Sequence, residues 1–124
     1  MHIPSSKASD IKRSRKESVL FREISSLYAE ASQDDARLID LFITHVELSS
    51  DKGTCVVYFF CEEGEKHFLE LLDILKLYKR SLRMALASSL QSRYTPDIIF
   101  KFDVQHAKHM RVESLIEKIK GESD

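Results

Sequence analysis

The apolar positions of the chain alternate between two periods. Leu20, Ile24, Leu27 and Tyr28 lie three and four residues apart and predict a helix. Ser14 with Glu17 fits a capping box at its start, Asp10 is an alternative start, and Ala31 and Ser32 close it. Ser32-Gln33-Asp34-Asp35 reads as a loop. From Leu38 to Leu48 the period drops to two, which predicts a strand. Phe42, Val46 and Leu48 fall on one face with Thr44 between them, and Leu41, Ile43, His45 and Glu47 fall on the other. Ser49 to Gly53 is a cluster of turn residues. Thr54 to Cys61 predicts a second strand, with Cys55, Val57, Phe59 and Cys61 facing one way and Val56, Tyr58 and Phe60 the other. So short a connection makes an antiparallel hairpin the expectation.

Helical spacing returns after Glu62-Glu63-Gly64-Glu65, acids placed where a helix dipole favours them. Phe68, Leu71, Leu72, Leu75, Tyr78, Leu82, Leu86 and Leu90 form one stripe that lasts until Pro96 forces a stop. A single helix of that length overhangs a small domain, so a break near Tyr78 to Ser81 is expected. Ile98, Ile99, Phe100 and Phe102 predict a third, buried strand. Asp103 to His109 reads as a polar connection, and Val112, Leu115, Ile116 and Ile119 as a last helix over Met110–Lys120 with Gly121 as its C-cap. The order helix, strand, strand, helix, helix, strand, helix predicts an α+β fold, a three-stranded sheet packed against helices. The expected organisation is a disordered N-terminal tail over 1–10, one folded domain over 11–109, and a C-terminal helix and short tail over 110–124.

Composition adds limits. With 124 residues, 43% of them hydrophobic, the chain can bury roughly two-thirds of its unfolded surface without a metal or a disulfide. Cys55 and Cys61 share a strand face about 20 Å apart, beyond the roughly 7 Å that a disulfide allows, so reduced buried thiols in a cytoplasmic protein are expected. There is no secretory h-region and no run that could span a bilayer, so no membrane role is expected.

The formal net charge of −1 hides a strong asymmetry. Lys7 to Arg22 holds six basic residues against two acids, and Lys76 to Arg93 holds five basic residues and no acid. Glu62 to Asp73 holds five acids against Lys66 alone. Lys76, Lys79, Arg80 and Arg83 stand at i, i+3, i+4 and i+7, so they share a helical face suited to a ridge of phosphate contacts. The bland alternative is a solvated helix surface. The cluster Lys12, Arg13, Arg15, Lys16 and Arg22 is a second candidate, although Glu17 and Glu23 offer intrahelical partners. Arg93 flanks the Pro96 turn, and Asp103 is better explained as a cap. His106-x-x-His109 lacks further ligands, and His45 and His67 stand alone, so no metal is expected. Three scattered glycines exclude Gly-rich phosphate loops, and no nucleophile elbow or metalloprotease helix is present, so no catalytic residues, cofactor or small-molecule substrate are expected.

Spread over most of the chain are pieces that resemble the ribosome-binding factor A family. Arg15 with Arg22-Glu23-Ile24 is similar to its first helix, and Asp35-Ala36-Arg37-Leu38 to its Asp-Pro-Arg-Leu, with Ala36 in place of Pro. Val46-Glu47-Leu48-Ser49, Asp51, Cys55 and Val57-Tyr58 resemble its hairpin. Leu82-Arg83, Leu86, Leu90, Arg93, Pro96, Phe100 and Asp103 resemble its most recognisable stretch. The resemblance implies a type II KH-like fold. It further implies a non-enzymatic assembly factor that binds the small (30S) ribosomal subunit and its 16S rRNA during late maturation, including folding of the 5′ end region. Taken with the charge pattern, the candidate RNA-binding residues are Arg15, Arg22, Lys76, Lys79, Arg80, Arg83 and Arg93. Where the family carries a kink of Ala-x-Gly, this chain has Tyr78-Lys79-Arg80, so cationic side chains would do what close backbone approach does elsewhere. A monomer is expected. The alternative is a protein-interaction adaptor that uses the acidic 62–73 surface without RNA.

Overall fold

The computed structural model describes residues 4–90 and 94–123, with side chains described from Asp10 to Gly121 within those ranges. The elements are α1 (Pro4–Asp34), a 3-10 turn (Ala36–Leu38), β1 (Phe42–Leu48), β2 (Thr54–Phe60), α2 (Glu65–Leu90), β3 (Asp97–Phe102) and α3 (Val104–Ser123). The sheet order is β1-β2-β3. β1 and β2 form the expected antiparallel hairpin, and β3 pairs parallel to β2, from Thr54↔Asp97 to Phe59↔Phe102. A parallel partner needs a crossover, and α2 is that crossover.

The core lies between the sheet and the helices α1 and α2. Leu20 and Ile24 come from α1, Phe68, Leu71, Leu75 and Leu86 from α2, and Ile98 from β3. The alternation read in β2 holds: Cys55, Val57, Phe59 and Cys61 are all buried. Phe59 is the centre of an aromatic cluster, edge-on to Tyr28 (5.2 Å) and Phe100 (5.7 Å) and tilted against Phe68 (6.0 Å). Tyr28 keeps its hydroxyl satisfied by donating to the Leu38 and Leu41 carbonyls at 2.8 and 3.0 Å. The β1–β2 turn is built as its composition suggests, with Asp51 Oδ1 accepting from Ser49 Oγ and the Gly53 N–H. Among the described residues no helix is long and apolar enough to cross a membrane.

Several local expectations are corrected. The first helix begins at Pro4, ahead of both starts read from the sequence; Pro is favoured at a first helical position and nothing between it and Asp10 breaks a helix. Ser14 is therefore inside α1, and Glu17, far from capping it, accepts the Leu48 N–H at 2.7 Å and pins the end of β1. In β1 a bulge between Ile43 and His45 reverses the faces, so Ile43 packs on the core beside Val46 and Leu48 while Phe42 is exposed. α2 begins at Glu65, and Glu62 to Gly64 form a turn in which Gly64 takes a φ of 93° that favours glycine.

The expected break near Tyr78–Ser81 is absent: α2 is one helix of 26 residues. Its length, roughly 39 Å at 1.5 Å per residue, overhangs the sheet but not α1, which runs antiparallel to it. Ser89 Oγ donates to Glu23 at 2.7 Å near one end of that pairing, and Tyr78 reaches Asp35 at the other. Finally, α3 starts at Val104, where a polar connection was expected, because Asp103 accepts the His106 N–H at 2.9 Å and caps it. It continues through Gly121, which is no C-cap.

Candidate nucleic-acid interface

α2 is amphipathic in two directions at once. One stripe rests on the sheet, and the neighbouring face carries Lys76, Lys79, Arg80 and Arg83. Pro96 is buried and turns the chain back along that face before β3 begins. The result is an open groove of about 750 Å³ between α2 and the segment Tyr94–Asp97. All four cations line it, together with Met84, Ala87 and Tyr94. Two of them are tethered across the groove: Lys79 Nζ lies 3.8 Å from Asp97 Oδ1, and Arg83 donates to the Thr95 carbonyl at 3.3 Å. Lys76 and Arg80 form no ion pair with any described residue and keep their charge for a ligand.

The groove brings together four of the seven residues read from the sequence. Arg15 and Arg22 are exposed on α1 and do not line it. Arg93 lies outside the described residues. Sequence reasoning missed Met84, Tyr94 and Asp97. Tyr94 is 74% exposed, and an exposed aromatic beside a run of cations is the usual signal of a nucleic-acid surface. Asp97 is the groove's one carboxylate, and nothing in local sequence says that it would face Lys79.

Tyr78-Lys79-Arg80 now has a structural account. The helix is unbroken there, so its backbone N–H groups are engaged within the helix and only side chains can reach a phosphate. Tyr78 turns away from the groove and donates to Asp35 Oδ2 at 3.2 Å. Asp35 also holds Arg37 bidentately, at 2.9 and 2.7 Å, and caps the 3-10 turn. The Arg37 hydrogen bonds outweigh burial and, with Tyr78, lower the Asp35 carboxyl from 3.8 to about 2. The residues that resemble the family's Asp-Pro-Arg-Leu thus clamp α2 to the end of α1.

The remaining candidates are structural. Asp103 accepts from Thr44 Oγ1 as well as from the His106 N–H, and His45 Nδ1 lies 3.1 Å from it. Burial opposes its ionisation, but these bonds prevail and keep its carboxyl below the ordinary value. His45 is not isolated, since it also stacks on Tyr58 at 4.3 Å. His106 packs edge-on against Phe60, and His109 pairs with Glu113 at 3.0 Å, so the two do not converge. His67 has acidic neighbours, with ligand atoms of Asp40 and Glu63 within 4.8 Å. Both of those acids are exposed.

Comparison with known proteins bears on the whole of this arrangement. The family model for ribosome-binding factor A matches residues 12–116. The ribosome-binding factor A of Geotalea uraniireducens is 32% identical over 110 residues, covering 87% of this chain and 88% of its own length. That of Clostridium acetobutylicum is 28% identical over 100 residues, 81% of this chain and 83% of its own. Among solved structures, the Thermus thermophilus ribosome-binding factor A superposes with a TM-score of 0.59 at 28% identity, covering 73% of this chain and 93% of that one. A Thermus thermophilus homology model fitted into a cryo-EM map of a 30S complex gives 0.52 at 30% identity, covering 68% and 88%. Matched by its family's model over most of its length and by that family's KH-like fold in space, the chain belongs to the ribosome-binding factor A family.

Proposed function

We propose that this chain is an assembly factor that binds the maturing 30S subunit and contacts its 16S rRNA through the groove between α2 and Tyr94–Asp97. The observation that carries the reading is the convergence of Lys76, Lys79, Arg80 and Arg83 on one open groove in a chain with no net positive charge. Membership of a family of ribosome-binding factors supports it, as does the fit of a relative into a 30S complex. Recognition is electrostatic: each cation that neutralises a phosphate releases counterions, so affinity falls steeply with salt. Lys76 and Arg80 supply the primary contacts. Lys79 and Arg83, already tethered across the groove, hold its walls and exchange those tethers for phosphate.

The test is charge reversal. The double variant Arg80→Glu, Arg83→Glu loses co-sedimentation with purified small subunits while its thermal unfolding stays that of the parent. Lys76→Glu alone reduces the log–log salt slope by about one contact. Normal co-sedimentation of the double variant would overturn the reading. One feature favours a second use of the surface: Leu69 is 56% exposed among Glu65, Glu70 and Asp73, which suits a protein partner. Subunit association that ignores salt would favour that surface over the groove.

A further inference from the structure

Helix α3 leaves the body of the protein almost at once. Its first turn is fixed by the Asp103 cap, by His106 on Phe60, and by Ala107 at the edge of the core. From Lys108 to Gly121 every residue is exposed. Yet Val112, Leu115 and Ile116 form a half-exposed aliphatic stripe at i, i+3 and i+4, which Ile119 continues. A free helical segment of that length is marginal in water, so whatever covers the stripe also completes the helix.

The charges beside the stripe say what kind of surface that is. At 100° per residue, Arg111 and Lys118 follow one edge of it and Lys108 lies in line with the stripe itself, and none of the three is ion-paired with a described residue. The other edge carries Lys120 and the His109–Glu113 pair, and Glu117 lies further round. A second copy of the chain is a poor occupant. Antiparallel pairing of two α3 stripes would lay the cationic edges side by side, Arg111 against Lys118. Parallel pairing would set that edge against the one carrying His109, Glu113 and Lys120, where only Glu113 is acidic, and would bury Lys108, in line with the stripe, against its own counterpart. RNA is a poor occupant as well, because an aliphatic stripe offers phosphates and base edges no hydrogen bonds. An anionic lipid surface is disfavoured by Glu113 and Glu117 on the polar face.

We infer that α3 is a second docking element, which lays Val112, Leu115 and Ile116 into an apolar groove edged by carboxylates on a protein of the small subunit. This rests on the reading of the chain as a 30S-binding factor, and adds a protein contact to the RNA contact of the α2 groove. The two surfaces have different chemistry, so they respond differently to salt and to substitution.

The experiment places the photo-crosslinker p-benzoylphenylalanine at Leu115 in one full-length protein and at Met84, which lines the α2 groove, in another. Each is irradiated on purified small subunits. The Leu115 probe is expected to form an adduct with a ribosomal protein and the Met84 probe an adduct with 16S rRNA. Adducts from Leu115 only to rRNA or only to a second copy, or none while Met84 crosslinks normally, would overturn the inference and leave the groove reading intact. A protein adduct from Leu115 without any rRNA adduct from Met84 supports the inference and counts against the groove. No adduct from either position sinks both. As a second readout, Leu115→Ser with Ile116→Ser weakens subunit association roughly tenfold, with unfolding unchanged because both side chains are already exposed; unchanged association contradicts the inference.

Discussion

Phe68, Leu71, Leu75 and Leu86 of α2 and Val112, Leu115 and Ile116 of α3 recur at the same helical spacings, yet the first set is buried and the second is about half exposed. Periodicity alone does not separate them. What does is how each helix joins the sheet. α2 is the crossover between two parallel neighbours, so the chain must lie across the sheet to reach β3. It is then held at Tyr78–Asp35 and at Ser89–Glu23 by a second long helix. α3 follows β3 and does not connect two paired strands of the sheet. An apolar stripe is a demand for a partner; the topology decides whether the chain itself meets that demand.

That contrast can be broken by experiment. The largest effect expected is at Leu75: Leu75→Ala leaves a cavity under α2 and lowers stability by roughly 2–5 kcal/mol in denaturant unfolding. Asp103→Ala removes the α3 cap and is expected to cost about 1 kcal/mol and to fray that helix, visible as lost far-ultraviolet ellipticity. A third test uses acid. Asp35 has its carboxyl lowered from 3.8 to about 2 by Arg37. A depressed carboxyl stabilises the fold above its unfolded value, and that stabilisation disappears as pH falls from about 4 towards 2. The melting temperature of the parent should therefore drop more over that window than that of Asp35→Asn, and parallel curves would show that the clamp on α2 does not contribute. The smallest effect is at Leu115, where Leu115→Ala should change stability by less than about 0.5 kcal/mol. A loss comparable to that of Leu75→Ala would mean that α3 packs on the core in solution.

Much of the fold was legible because its signals are local. Cys55, Val57 and Phe59 of β2 alternate inward as their spacing says, Pro96 falls between α2 and β3, and Ser49 to Gly53 is turn chemistry throughout. The errors have a common cause, which is partners distant in sequence. Glu17 looks like a capping residue until Leu48 arrives to donate to it. Thr44 becomes the extra residue of a bulge, and its hydroxyl is taken up by Asp103 from the other edge of the sheet. The unbroken α2 depends on α1 being long enough to run beside it. For the candidate site, helical spacing alone was enough to assemble Lys76, Lys79, Arg80 and Arg83. It could not supply Tyr94 and Asp97, which enter only through the fold of the Pro96 segment.

The parallel pairing of β3 with β2 has a further consequence, for how the protein comes into being. The β1–β2 hairpin closes over a turn of a few residues and can form as soon as Phe60 has been synthesised. Thr54 cannot meet Asp97 until the whole of α2 has been made and has folded back. Long-range closure of that kind is slow. Until then β2 is an open edge rich in Val, Tyr and Phe, a template for pairing with another chain. In pulsed hydrogen exchange during refolding, the amides shared by β1 and β2 should gain protection before those that join β2 to β3. The period between the two is when this protein is most exposed to aggregation.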